Sequence, residues 1–283
     1  MSSLAMLRNT VAKRTIEQKA TALDFPKAGE LIEIRGTGEL SLHDRRVLNL
    51  LYENAGQQLC DGIKHRIAIA ALRGTHKGGE RVRDSIIRLM RTIVQVPTKG
   101  SDGKPATSLT ALLSDTTVCD DDDSPTGEVV YTFSDKMREI VKESTHWGRV
   151  RGSVMFAFTS KYSLALYELI SMRINRQQWQ ETFSVEELRE LLGVPKGKLT
   201  TFKNFHRWGI RPAEIEVNGL ADFGVKIEPV RLGGTKRGAV TSFRLSWWQK
   251  DVPALKEAFA EIKRAKVGRL ARLSGKVEIV EAS

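Results

Sequence analysis

Lys198, Thr200, Thr201, Lys203, Asn204 and Arg207 crowd one short stretch, KLTTFKNFHRW. Asparagine and arginine can each place two hydrogen bonds on one base edge, adenine for the first and guanine for the second. Threonine methyls suit thymine, and lysine suits phosphate. A second set, Arg231, Lys236 and Arg237, brackets the glycines of RLGGTKRG. Glycine lets a backbone approach closely, so cations at such a tip can meet a phosphate chain. A third set, Arg81, Arg83, Arg88 and Arg91, lies in ERVRDSIIRLMRTIVQV after a glycine-rich turn, as one cationic face of a helix. All three sets point to duplex DNA.

Bond-making chemistry finds no support. Gly193 to Thr200 (GVPKGKLT) suggests a phosphate loop, but it has three residues between its glycines instead of four. It also lacks a Ser or Thr directly after the lysine and follows a helix, not a strand. His43, His65, His76, His146 and His206 are scattered, without metal-ligand spacing. The acidic run 120–123 has no calcium-loop pattern. We expect no catalytic residue, metal or cofactor.

The elements that must carry these side chains follow from periodicity. Residues 183–195 (FSVEELRELLGVP) form a helix, Pro195 to Gly197 a turn, and 198–208 a second helix, with Phe202, Phe205 and Trp208 expected in the core. Residues 225–230 and 239–248 then form a hairpin with the basic tip between them. Two helices at a short turn followed by a cationic hairpin is the winged-helix pattern. Upstream, Ser41 caps a helix in which Val47, Leu48, Leu51 and Tyr52 recur at helical spacing, with Asp44 completing a capping box. Helices are expected over 64–72 and 80–96, a strand over 31–36, and a hairpin from 108–118 and 128–134, followed by a helix at 135–144. A third-helix break is expected at Gly209-Ile210-Arg211-Pro212, because proline cannot donate to the preceding turn. The fold class is therefore α+β, two tandem winged-helix domains forming a pseudo-repeat.

Composition agrees with a polyanionic partner. The 283 residues carry a net charge of +11, which argues for nucleic acid without fixing a fold. Segments 61–94, 196–238 and 256–276 each carry a net +5, so the charge lies where phosphate contacts would be needed. The longest apolar run, 67–72, is too short for a membrane span. The start lacks the features of a signal peptide and reads as a basic arm. Two distant cysteines, Cys60 and Cys119, suggest a reducing, cytoplasmic setting.

In its order of motifs the chain resembles the iteron-binding plasmid replication initiators, the Rep family with two winged-helix domains. The resemblance rests on FTSKYSLALYEL (158–169), FSVEELR (183–189), LLGV (191–194) and FKNF (202–205), with LSL at 40–42 and YTFS at 131–134. It covers about residues 38–265. It implies monomers that bind directly repeated origin sites and help to melt neighbouring A·T-rich DNA. It also implies recruitment of a host initiator and replicative helicase, and dimers, formed through the first winged helix, that repress their own gene. The expected organisation is a basic arm (1–37), a first winged helix (38–150) for DNA contact and dimerisation, a second (151–265) for the main sequence-specific contact, and a flexible basic tail (266–283). The acidic loop at 120–123 is long for a DNA-facing wing. A tandem winged-helix repressor on an inverted repeat is the alternative.

Overall fold

The computed structural model describes residues 14–73, 82–119, 127–235 and 238–275. The chain opens with β1 (Asp24–Ala28), α1 (Gly29–Ile32) and α2 (Leu42–Ala55). The capping box at the start of α2 is present: the Ser41 hydroxyl accepts from the Asp44 N–H at 3.1 Å, and the Asp44 carboxylate accepts from the Ser41 N–H at 2.8 Å. Next come β2 (His65–Ala68), α3 (Ile69–Arg73), α4 (Val82–Arg91), β3 (Ile93–Lys99), β4 (Pro105–Ala111), β5 (Leu113–Val118), β6 (Glu128–Phe133) and α5 (Asp135–Glu143). The second half runs β7 (Trp147–Arg151), α6 (Gly152–Ala157), α7 (Lys161–Ser171), β8 (Gln180–Ser184), α8 (Val185–Leu191), α9 (Phe202–Phe205), α10 (Arg211–Leu220), β9 (Phe223–Arg231), β10 (Val240–Gln249), α11 (Val252–Lys263) and α12 (Arg269–Leu273).

Two three-stranded antiparallel sheets have the same plan, β2-β6-β5 in the first half and β8-β10-β9 in the second. In each, a strand between the first and second helices pairs with the last strand of the hairpin. The pseudo-repeat is therefore present, α2-β2-α3-α4-β5-β6 against α7-β8-α8-α9/α10-β9-β10. Aromatic rings close both cores. Tyr52, Tyr131 and Phe133 meet edge to face in the first, and the Tyr131 hydroxyl donates to the Leu51 carbonyl at 2.5 Å. In the second, Phe205 meets Phe243 edge to face and Phe202 stacks on Phe243.

Several local expectations differ. The strand lies at 24–28 and not at 31–36, where the chain turns into α1 and then irregular backbone. Pro26 is tolerated in β1 because, among the described residues, β1 pairs only with β7 and keeps an open edge. Phe25, Ala28, Leu31, Ile32 and Ile34 are buried, so this part of the expected basic arm belongs to the core. The helix expected over 64–72 is β2 followed by the short α3: Ile67 lies opposite Val129 of β6, and cross-strand pairing decides a short apolar run that periodicity leaves ambiguous. Helix 80–96 stops at Arg91. In 93–99 burial alternates with period two, Val94 and Val96 inward and Ile93 and Gln95 outward, and β3 pairs with β4 as a hairpin without counterpart in the second half. The segment expected as one strand over 108–118 is split at Leu112 between that hairpin and β5. Around the boundary expected between residues 150 and 151 the chain forms β7, paired to β1.

The expected tail is also folded, as far as it is described. Arg269 is 1% exposed. Its guanidinium donates to the carbonyls of Ala157, Glu261 and Arg264 at 2.7, 3.0 and 2.9 Å. A methyl group at Gly219 would collide with Leu273, so α12 seats against the back of α10.

Candidate nucleic-acid interface

In the second unit Ser184 caps α8 by accepting from the Glu187 N–H at 3.1 Å. The chain then turns through Gly193 (φ +69°), Gly197 (φ +77°) and Leu199 (φ +50°). Leu199 is the one non-glycine residue in the left-handed region among the described residues. The Arg189 guanidinium holds this turn by donating to the carbonyls of Leu199 and Lys198, and it lies 5.1 Å from the Phe205 ring centre. The Thr201 hydroxyl accepts from the Asn204 N–H at 3.2 Å and starts α9. Thr201 therefore has a capping role besides any contact its methyl group makes.

The helix does not break at 209–212. Residues His206–Ile210 form one wide π-helical turn in which the Arg211 N–H donates to the His206 carbonyl, and α10 continues through Pro212. Widening the turn changes which donor is needed where proline has none, and such turns recur at functional sites. Gly209 and Ile210 are buried beneath it, and a methyl group at Gly209 would fall 2.9 Å from the Phe205 ring.

The helix expected from residue 198 starts only at Phe202, so Lys198 and Thr200 lie in the turn before it; they are exposed, as are Thr201, Lys203, Asn204, Arg207 and also Arg211, which the assumed break had hidden. Phe205 is buried and Phe202 half-buried, as expected. Trp208 differs: it is 57% exposed, with the Arg207 guanidinium 4.7 Å from its ring centre. Burial, and Arg211 beside it, lower the His206 pKa below the ordinary imidazole value.

On the wing, Arg231 is half-buried. Its guanidinium donates to the Gly238 carbonyl at 2.8 Å and lies 5.6 Å from the Phe202 ring centre, joining wing to helix. Arg244 on β10, missed in the sequence, is exposed opposite Glu228, a placement that becomes legible only with the strand register. Lys236 and Arg237 lie outside the described residues.

In the first unit Arg81 also lies outside the described residues. Arg83 donates to the Cys119 carbonyl at 3.3 Å. Arg88 grips Asp44 with two hydrogen bonds of 2.9 and 3.0 Å. Arg91 is exposed, and so are Asp84, Ile87 and Met90. The outer face of α4 is thus mixed, not uniformly cationic.

Burial alone would raise the Asp44 pKa, but hydrogen bonds from Arg88, the Ser41 backbone and Ser85 hold it below the ordinary carboxylate value. The stabilisation this gives is full above about pH 4 and is lost as pH falls through the lowered pKa. Replacing Arg88 with alanine should cost about 1–2 kcal/mol near neutrality, a modest figure because the guanidinium is partly exposed and screened. Thermal melts should show a clear difference from wild type at about pH 7 and a smaller one at about pH 3. Equal differences would mean that the pair does not matter.

The two units are tied together beside these faces. Arg35 pairs with Glu187 at 3.4 Å and Glu190 at 3.1 Å. Lys161 donates to the carbonyls of Gly38 and Leu40 at 2.5 and 3.1 Å, and burial lowers its pKa to about 8. Gly38 lies so close to the helix–turn–helix of the second unit that a methyl group there would sit 2.9 Å from the Pro195 Cα.

Two family descriptions match the chain: "Initiator Replication protein, WH1" over residues 26–171 and "Initiator Rep protein, WH2" over 184–247. Among solved structures the chain is similar to one titled "Crystal structure of Pi initiator protein in complex with iteron DNA", with a TM-score of 0.56 and 15% identity, covering 81% of this chain and 98% of that one. At that identity the likeness speaks for the fold. No curated protein matches.

Proposed function

The chain belongs to the initiator Rep protein family with two winged-helix domains, and from that premise we propose that it binds directly repeated sites in duplex DNA at a plasmid origin and promotes opening of the DNA beside them. The observation that carries this reading is the exposed set from Lys198 to Arg211 along one capped helix and the turn that leads into it, with Arg231 and Arg244 on the adjoining wing. Two such units on one chain can follow successive major-groove faces, a site of roughly 20 base pairs. Bending a site of that length costs on the order of 1–6 kcal/mol, which added contacts can offset. Several protomers on adjacent repeats would accumulate that strain and release it by opening a neighbouring A·T-rich segment.

The solved relative is titled as a complex with iteron DNA, which supports the same ligand class here. Self-association through the first unit, repression of the protein's own gene by that dimer, and encounters with a host initiator and helicase complete the proposal, in a bacterial cytoplasm. The outward-facing Ile93 and Leu109 of the β3–β4 hairpin, 55% and 68% exposed, support self-association. No helix among the described residues is long and apolar enough to cross a membrane.

A footprint on DNA flanking the gene, at two salt concentrations, tests the reading. Direct repeats should be protected, with affinity falling steeply as salt rises. Protection of a single inverted repeat would indicate a repressor instead. Neutralising Lys203 and Arg207 together should weaken binding by roughly tenfold or more and reduce the slope of log affinity against log salt by about 2. The matched change at Lys13 and Arg14 should do less; equal effects would sink the assignment of this helix.

A further inference from the structure

Trp208 is the feature of this surface that charge and polarity do not explain. Its indole is 57% exposed. It lies one helical turn beyond Asn204, and Arg207 and Arg211 flank it on the same exposed stripe. The buried side of the same turn is already filled by Phe205, Gly209 and Ile210, so the core does not need the ring. Leaving a large apolar surface in water forgoes burial of roughly 25 cal/mol per Å², and a partner that covers it recovers that energy.

We propose that Trp208 contacts the 5-methyl group of a thymine in the major groove, and so contributes to sequence discrimination. The argument is one of available surfaces. In an intact duplex the base faces are stacked on one another, so an indole in the groove cannot stack on them. The major-groove edge presents hydrogen-bonding groups and one apolar group, the thymine methyl. An indole offers no acceptor and a single donor, and matches the methyl better than any other edge group. The cationic side chains around it fix the polarity of the partner, since Arg207, Arg211 and Lys203 favour the negative potential of DNA over an apolar protein surface. Arg207 stacked on the ring covers part of the indole and restrains it, which lowers the ordering cost on binding. The π-helical turn matters here as well, because it carries the chain through Gly209 to Pro212 without ending the helix and so keeps Trp208 and Arg211 on the stripe begun by Asn204.

This inference rests on the duplex-binding reading above, and the test separates the two. The wild-type protein selects its site from a random duplex library, and a 30-base-pair duplex carrying that site is the probe. Each thymine of the probe is then replaced in turn by deoxyuridine, which removes only the methyl group. Affinities are measured for the wild type, Trp208→Ala and Trp208→Phe, with melting curves to establish that all three are folded. Trp208→Ala should bind roughly four- to tenfold more weakly, and Trp208→Phe should recover part of the loss. At one thymine, deoxyuridine should weaken the wild type several-fold and leave Trp208→Ala unchanged. If every thymine gives the same ratio in both proteins, the contact is refuted while the duplex-binding reading stands. If the wild type selects no site, that reading fails and this inference with it.

Discussion

Replacing Glu168 with alanine should lower the free energy of unfolding by about 3–5 kcal/mol, the range for breaking a buried ion pair from one side. Lys27, Asn49 and Glu168 form a closed triangle with exposures of 3, 0 and 4%. The Lys27 ammonium donates to Asn49 Oδ1 and to Glu168 Oε2, both at 2.8 Å, and Asn49 Nδ2 donates to Glu168 Oε1 at 2.6 Å. The three come from β1, α2 and α7, so the triangle joins the opening helix of the second winged helix to the core of the first. Burial already lowers the Lys27 pKa, and Glu168 opposes that effect. Without the carboxylate, Lys27 would sooner lose its proton than remain charged, which caps the cost. Glu168→Gln should cost less than alanine, since the amide still offers an acceptor. Replacing Lys27 and Glu168 together with Met and Leu should not restore full stability, because Asn49 would then be buried without its two polar partners; adding Asn49→Leu should recover most of it. Urea unfolding of the series gives the ordering. A loss below about 1 kcal/mol for Glu168→Ala would mean that water enters and solvates the remaining pair.

Arg269→Ala should be of similar size, about 3–5 kcal/mol, and should act at the other end of the chain. Besides its four carbonyl partners, Ile262 at 3.4 Å among them, the Arg269 guanidinium meets the Glu261 carboxylate at 3.3 Å. Burial would raise the Glu261 pKa, but Arg272, Arg264 and Arg269 together hold it below the ordinary value. Truncating Arg269 strands the Ala157 carbonyl, while the Glu261 carbonyl keeps the Arg264 N–H, and it unfastens α12 from α6 and α11. Lysine should rescue little, because a point ammonium cannot span the partners that a planar fork reaches at once. A thermal melt together with limited proteolysis should show a lower midpoint and new cleavage beyond residue 263. Unchanged protection of α12 would refute the latch. Because α12 supports α10, the variant should also bind DNA more weakly under conditions where it remains folded.

The two predictions concern groups that the sequence did not reveal. Lys27 lies in a segment read as a basic arm, and Arg269 lies in one read as a flexible basic tail. Each is buried because distant elements supply its partners, across 141 residues for Lys27 and Glu168 and 112 for Arg269 and Ala157. Local pattern carries no record of such partners. The same limit explains β2 and β3, which as isolated runs read as helix and become strands once a partner strand supplies the ladder.

What the sequence determined by itself is what depends on neighbours in the chain. The Ser41–Asp44 capping box, the helix–turn–helix at 185–205, the β9–β10 hairpin and the exposed side chains from Lys198 to Arg207 all follow from short-range periodicity, caps and glycines, whose energetics are local. The tertiary structure alone decided which cations of α4 face outward. Arg88 and Arg83 look like Arg91 in the sequence, yet Arg88 is bound to Asp44 and Arg83 to the Cys119 carbonyl, whereas Arg91 is exposed. It also kept the helix intact past Gly209 by widening one turn, which left Trp208 in solvent. Those outcomes depend on contacts between residues far apart in the chain, and such contacts exist only once the whole chain has packed.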